Sequence, residues 1–210
     1  MPDPLLVGLR EFAIDLPAAT LAREELFLTE LLRWNQRINL TAITEWHEAL
    51  EKHLLDSLLL LKHIPTECRL LDMGSGGGLP GIPLSIALKD MLVASVDSVG
   101  KKINFQKHIK RLLALENLYP EHSRLENLSA DRCFDVVTAR ALSDLSTLAE
   151  WAAPHQGEGG LLLIMKGPEG EKELKSYLQK TENHYRMAAV DHYQLPKSRA
   201  DRLLISLIRK

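Results

Sequence analysis

Residues Leu70-Leu71-Asp72-Met73-Gly74-Ser75-Gly76-Gly77-Gly78-Leu79-Pro80-Gly81 constrain this chain more than any other stretch. An apolar run stops at an acidic residue, a glycine-dense turn follows, and Pro80 can open a helix. Five of the 12 glycines of the protein fall in these residues. Glycine has no side chain, so it allows positive φ and lets a ligand approach the backbone closely. Strand, glycine turn and helix in that order build a nucleotide-type cofactor site in α/β proteins.

The rest of the chain supplies such a sheet. Arg69 to Met73, Leu92 to Asp97, Asn117 to Tyr119, Phe134 to Ala139 and Gly160 to Met165 read as strands. Helices over Pro80–Leu88, Lys101–Leu113, Leu142–Ala152 and Glu169–Lys180 separate or follow them, and Arg186–Leu195 with Arg202–Ile208 reads as a closing hairpin. Apolar strands alternating with helices give a parallel sheet covered on both faces. Ligands then bind beyond the carboxyl ends of the strands. Residues 4 to about 64 read as helical, with Leu50, Leu54, Leu58 and Leu61 as the cleanest stripe. Pro17 separates the first helix from the second, Thr20 is the expected N-cap, and Asn35 to Ile43 is too rich in Asn and Thr for a helix interior. This divides the chain into a helical cap, 1–66, and an α/β core, 67–210.

Composition narrows the classes. A formal charge of −2 argues against wholesale coating of nucleic acid, though not against a local basic patch. Cys68 and Cys133 lie far apart with no CxxC spacing, which fits a reducing compartment and no zinc site. No apolar run is long enough to span a bilayer, and the N-terminus lacks a signal pattern. The expectation is a cytoplasmic protein without membrane contact.

Gly76 to Gly81 matches G-x-G-x-x-G literally, but the first glycine after the strand is Gly74. Counted from there, the third position of a dinucleotide site is Leu79, so a nicotinamide-dependent oxidoreductase is the weaker reading. A merely flexible turn is the plain alternative. Asp72 can order the turn by accepting backbone N–H bonds, and Asp97, closing the next strand, can accept both hydroxyls of a ribose. Asp72 to Gly78 followed by Asp97 resembles the S-adenosylmethionine site of class I methyltransferases.

Other blocks extend the likeness. They are Asn35-Gln36-Arg37-Ile38-Asn39-Leu40-Thr41-Ala42-Ile43, His53-Leu54-Leu55-Asp56-Ser57, Gly74 to Leu84, Asp97 to Lys102, Ser123 to Glu126, Thr138-Ala139-Arg140-Ala141 and Met165-Lys166-Gly167. Together they resemble the bacterial small-subunit ribosomal RNA guanine-N7 methyltransferases, also called the glucose-inhibited division protein B family, from about residue 26 onward. The resemblance implies a Rossmann-like, mostly parallel seven-stranded sheet with an N-terminal helical cap. It implies S-adenosylmethionine as methyl donor, S-adenosylhomocysteine as product, no metal, and 16S ribosomal RNA in the small subunit as partner of a monomeric enzyme. A ribosome-binding assembly factor without turnover is a further alternative.

By the same resemblance, Asp72, Gly74, Ser75, Gly76, Gly78 and Leu79 would form the cofactor turn. Asp97 and Ser98 would sit at the ribose, Leu125 and Glu126 by the adenine, and Arg140 at the cofactor or the incoming base. His53, Asp56 and Lys166 would face the substrate as positioning groups, and Arg124-Leu125-Glu126 departs mildly from the family's Arg-Ala-Glu. Guanine N7 carries an in-plane lone pair and can attack a sulfonium methyl without losing a proton first, so no general base is needed. Positioning alone can supply roughly 7–11 kcal/mol. His53 and Asp56, three apart, can instead be a structural pair on one helix face. Asn39, Lys101, Lys102, Arg199 and Arg202 are the candidate RNA contacts. The lysine-rich helix from Lys101 is equally readable as a solvated face, and Trp34 and Trp46 as core.

Overall fold

The computed structural model describes residues 4–129 and 131–210. Seven strands form one sheet in the order β3-β2-β1-β4-β5-β7-β6. They are β1 (Arg69–Met73), β2 (Leu92–Asp97), β3 (Leu118–His122), β4 (Val136–Arg140), β5 (Leu161–Lys166), β6 (Tyr185–Gln194) and β7 (Asp201–Arg209). β3, β2, β1, β4 and β5 pair in parallel, whereas β7 runs antiparallel to both β5 and β6. The strand order reverses at β1, so the glycine turn leaves the sheet at its topological switch point.

Strand side chains alternate between two cores. Leu70, Val93, Val136, Leu163 and Leu204 face one; Leu71, Ala94, Val137, Ile164 and Ile205 face the other. The second is covered by α7 (Leu145–Ala152) and α8 (Gly170–Leu178) through Leu148 and Leu174. The first is covered by α5 (Gly81–Ala87) and α6 (Gly100–Leu112) together with the N-terminal helices α1 (Pro4–Glu11) and α2 (Ala18–Ile38). Leu5, Phe27 and Leu31 thus share one apolar cluster with Leu70 and Phe105. The expected cap is part of the layer that covers the sheet on that face.

Trp46 to Lys62 is one continuous helical path of changing pitch: α3 (Trp46–Ala49), a π-helical stretch (Leu50–Leu55), α4 (Asp56–Leu58) and a 3₁₀ turn (Leu59–Lys62). The Leu50, Leu54 and Leu58 stripe is buried as its spacing implies.

Several boundaries differ from the sequence reading. α2 begins right after Pro17, and Thr20 lies inside its first turn, where its N–H bonds the Pro17 carbonyl. α2 also continues through Asn35 to Ile38, ending at Asn39 in the left-handed conformation with φ 50°. Its packing against Phe105 outweighs the weak helix preference of Asn35, whose side chain works beyond the helix end instead. α7 starts at Leu145 rather than Leu142 because Asp144 is its N-cap, accepting from Ser146 N and Thr147 N.

Candidate active site

The turn after β1 is held from three sides. Asp97, at the end of β2, accepts Gly76 N–H at 2.8 Å through Oδ2 and Val99 N–H at 2.8 Å through Oδ1. Gln106 on α6 donates from Nε2 to Ser75 Oγ at 2.8 Å and to the Gly76 carbonyl at 2.9 Å. Asp72, fully buried, accepts the Gly81 N–H at 2.9 Å, which ties the start of α5 to β1. A Cβ on Gly81 would stand 2.7 Å from that same Asp72 oxygen, so glycine is required for this approach. Gly74 sits at φ +62°, where a Cβ would meet Leu142 at 2.4 Å. On the outer side a Cβ on Gly77 would meet Leu31 of α2 at 2.8 Å, so the N-terminal helices close directly onto the turn.

Beyond the strand ends lies a cavity of about 430 Å³ between Gly74, Asp97, Ser98, Leu125, Glu126 and Leu142. Lys102, Ser123 and Trp151 complete its rim. Leu125 and Glu126 enter on a 3₁₀ turn after β3, whose backbone leaves the sheet at Ser123. Apolar walls alternate with acceptors here. Each Asp97 oxygen engaged by a backbone N–H keeps a second lone-pair site, so the carboxylate can still accept hydroxyl protons. Apolar Leu125 and Leu142 provide surfaces for a flat heterocycle. A nucleoside with vicinal hydroxyls fits this donor and acceptor set.

A second group lies across the ends of β4, β5 and β7. Arg140 Nη1, at the end of β4, donates to the Lys52 carbonyl at 3.1 Å and stands 3.4 Å from His53 Nδ1. His53 Nε2 meets Thr41 Oγ1 at 2.7 Å. His53 Nδ1 also lies 3.2 Å from the Lys52 carbonyl, so the ring sits between that acceptor, the Arg140 cation and the Thr41 hydroxyl. Burial, then the Arg140 charge, lowers the His53 pKa to about 4, so the ring is neutral. Asp56 binds Arg202 Nε at 2.9 Å and the Tyr193 hydroxyl at 3.1 Å. Lys166 Nζ lies 2.9 Å from Glu173 and 2.5 Å from the Ser143 carbonyl. Burial raises the Asp72 pKa to about 7, against the Gly81 N–H and the Arg140 charge, which lower it.

The sequence-derived residues therefore divide. Gly74, Asp97, Ser98, Leu125, Glu126 and Lys102 meet at the cavity. Asp72, Ser75, Gly76 and Gly78 shape the turn from beneath, and Leu79, whose N–H bonds the Ser75 carbonyl, closes it with its side chain in the apolar core. His53 and Asp56 are both buried but do not bond each other, because Thr41 and Arg202 engage them separately. Arg202 is engaged on one side only: Nε binds Asp56 at 2.9 Å, Nη1 reaches the Asp201 carbonyl, and the side chain stays partly exposed. Asn39, Lys101 and Arg199 are exposed. Sequence reasoning missed Gln106, Tyr193, Trp151 and Leu142, whose roles depend on neighbours 30 to 137 positions away in the cases of Gln106 and Tyr193. Among the described residues no group of His, Cys, Asp and Glu could hold a metal ion.

A model of the family GidB, described as rRNA small subunit methyltransferase G, matches residues 21–205. The chain belongs to this family. A Ribosomal RNA small subunit methyltransferase G of Syntrophotalea carbinolica is 50% identical over 188 residues, covering 88% of this chain and 87% of the relative. One of Geotalea uraniireducens is 39% identical and covers 96% of this chain and 93% of its own length. The protein is thus a methyltransferase of the kind that uses S-adenosylmethionine. Its fold agrees with a SAM dependent methyltransferase from Aquifex aeolicus at a TM-score of 0.60 and 17% identity, over 87% of this chain and 98% of that one. The fibrillarin/Nop5p complex gives 0.58 at 17% identity, over 75% and 80%. These likenesses speak to the fold alone. The methyltransferase's turn, cavity and Arg140 group all fall within the matched residues.

Proposed function

We propose that this methyltransferase moves the methyl group of S-adenosylmethionine to N7 of a guanine in 16S ribosomal RNA, working as a monomer on the small subunit. The observation that carries the reading is the adjacency of two sites at one sheet edge. A nucleoside-shaped cavity ends at Gly74 and Leu142, and Ala141 on its rim directly follows Arg140. When bound, the cofactor supplies an electrophilic methyl on a sulfonium. Asp97 accepts hydroxyl protons of its ribose, Ser98 adds a second polar contact, and Leu125 and Leu142 bracket the heterocycle. Arg140, oriented by the Lys52 carbonyl and neutral His53, holds the incoming base. Lys166 and Asp56 keep the loop after β4 and the hairpin in register through Ser143 and Arg202.

The titratable groups beside the cavity fit a target that needs no proton removed before attack. His53 faces a cation on one nitrogen and Thr41 on the other, and Asp56 is engaged by two donors. Their work is to orient, and orientation can be worth roughly 7–11 kcal/mol. A location in the cytoplasm agrees with an RNA target; no helix among the described residues is long and apolar enough to cross a membrane.

The test is transfer of a labelled methyl group to small subunits from cells lacking the enzyme, followed by nucleoside analysis. Label in 7-methylguanosine is the expected result. Label in another nucleoside would discard the N7 target. Co-sedimentation without label would favour a non-catalytic assembly factor. Heat of binding with NAD and none with S-adenosylmethionine would favour an oxidoreductase.

A further inference from the structure

α2 and α6 pack antiparallel, as their contacts show in sequence. Arg23 reaches the Leu113 carbonyl, Glu30 meets His108, and Trp34 touches both His108 and Phe105. The end of α2 therefore lies beside the start of α6, where Gln106 grips the glycine turn and Lys102 stands 3.8 Å from Asp97. At that end, Arg33, Trp34, Gln36, Arg37 and Ile38 line a separate hollow of about 310 Å³. Trp34 is half-buried, its indole against the His108 ring at 5.0 Å and 31°. Arg33, Arg37 and, on the facing start of α6, Lys101 are exposed.

The charge here is one-sided. Among the described residues the lining carries Arg33 and Arg37 and no acidic side chain. Buried Glu30 is engaged by Arg33 at 2.8 Å and His108 at 2.9 Å, which offsets part of the Arg33 charge and leaves Arg37 and Lys101 as the main cations. On a chain whose formal charge is only −2, this leaves a local cationic rim around an aromatic wall. Cations that track a backbone beside a π-surface on which a base can stack make up the usual site for an unpaired nucleotide.

We propose that this hollow is a docking subsite for an unpaired nucleotide of the RNA substrate, outside the catalytic cavity. Trp34 stacks the base, Arg37 and Arg33 take the flanking phosphates, and Lys101 extends the track toward the cavity mouth. The subsite rests on the reading of the protein as an RNA methyltransferase and adds to it the face by which the RNA enters. Because Leu31, one turn earlier on α2, packs on Gly77, a nucleotide seated here bears on the helix that covers the cofactor turn.

The test uses the full chain with protein-free 16S RNA and with small subunits, comparing wild type with Arg33→Gln/Arg37→Gln and Trp34→Leu. Arg186→Gln, an exposed cation at the far end of β6, is the control. The double variant should raise KM for RNA about tenfold with kcat and S-adenosylmethionine affinity unchanged. Its slope of log K against log salt should shrink by about 0.7–0.9 for each cation lost. Trp34→Leu should weaken RNA binding about tenfold or more with the salt slope kept, as loss of base stacking does. Trp34 also packs on Phe105, so if Trp34→Leu misfolds, the arginine variants, which are on the surface, decide the matter. An unchanged KM and slope in the double variant overturns the subsite, as does an equal effect in Arg186→Gln. Weakened binding to subunits with unchanged binding to free RNA would mean a ribosomal protein contact, and also overturns it. A wild type that binds RNA with this cation dependence but transfers no methyl group would sink the enzymatic reading while supporting the subsite.

Discussion

Two buried residues beneath the site titrate in opposite directions. Asp72 has a pKa raised to about 7, so between its ordinary value near 3.9 and 7 the folded state holds a proton that the unfolded chain has released. Stability from this group is full at low pH and falls as pH rises through that window. His53, lowered to about 4, does the reverse. The unfolded chain takes up a proton below about 6.5, and stability is lost as pH falls toward 4. The two slopes oppose each other over nearly the same range. Asp72→Asn should leave a profile that rises from pH 4.5 to 6.5, and His53→Gln one that falls, as read by urea unfolding at each pH. Parallel profiles in both variants would mean that neither group titrates inside the fold as described. At the cavity, Asp97→Ala should weaken S-adenosylmethionine binding by about 1.5–3 kcal/mol, roughly ten- to a hundredfold, by calorimetry. An unchanged affinity would remove Asp97 from the ribose. Asp97 was legible because a carboxylate closing the strand after a glycine turn has few other uses. Tyr193 was not, because nothing near it in sequence marks it as the partner of Asp56.

At the scale of elements, the glycine turn owes its shape to α6. Gln106 is fully buried and joins Ser75 Oγ and the Gly76 carbonyl, so one side chain ties helix to turn. Gln106→Leu should keep the helix and cost about 1–3 kcal/mol by leaving those groups unpaired, with a parallel loss of cofactor affinity. Stability lost without any change in affinity would mean that the turn keeps its form unaided. The loop after α2 is set in the same way by Asn35 Oδ1, which accepts Leu40 N–H at 2.6 Å and Thr41 N–H at 2.9 Å. That bond places Thr41 against His53. The Asn-Leu-Thr block, read from sequence as a break in the helices, is the strut that carries one end of the Arg140 group.

On the scale of the whole molecule, buried polar links join its N- and C-terminal parts. Asp56, on the helical path before β1, pairs with Arg202 of β7 and Tyr193 of β6. Glu51 accepts from Lys197 N and Ser198 N in the loop between those strands. The hairpin and the N-terminal helices are thus fastened on one side of the sheet. Asp56→Ala should destabilise by about 3–5 kcal/mol, since it strands the partly buried Arg202 guanidinium. Arg202→Leu, which removes the partner charge, added to Asp56→Ala should recover part of that loss in urea titrations. No recovery would show that the pair contributes nothing through its charge.

Sequence alone determined the strand and helix alternation, the glycine turn and the acceptor at the end of β2. Each is a local pattern: apolar periodicity, glycine in positive φ, a carboxylate at a strand end. It also carried the family resemblance, through blocks that lie far apart in the chain. Tertiary structure decided the partners. Arg202 reads in sequence as a lone cation, and only β7 brings its Nε to Asp56; the burial of the Leu79 side chain in the core is likewise set by packing. The spacing of His53 and Asp56 left a pair between them open as an alternative, and the fold instead gives each its own neighbour, Thr41 and Arg202. Burial and charge pairing are properties of distances between remote residues, and those distances exist only once the sheet has assembled.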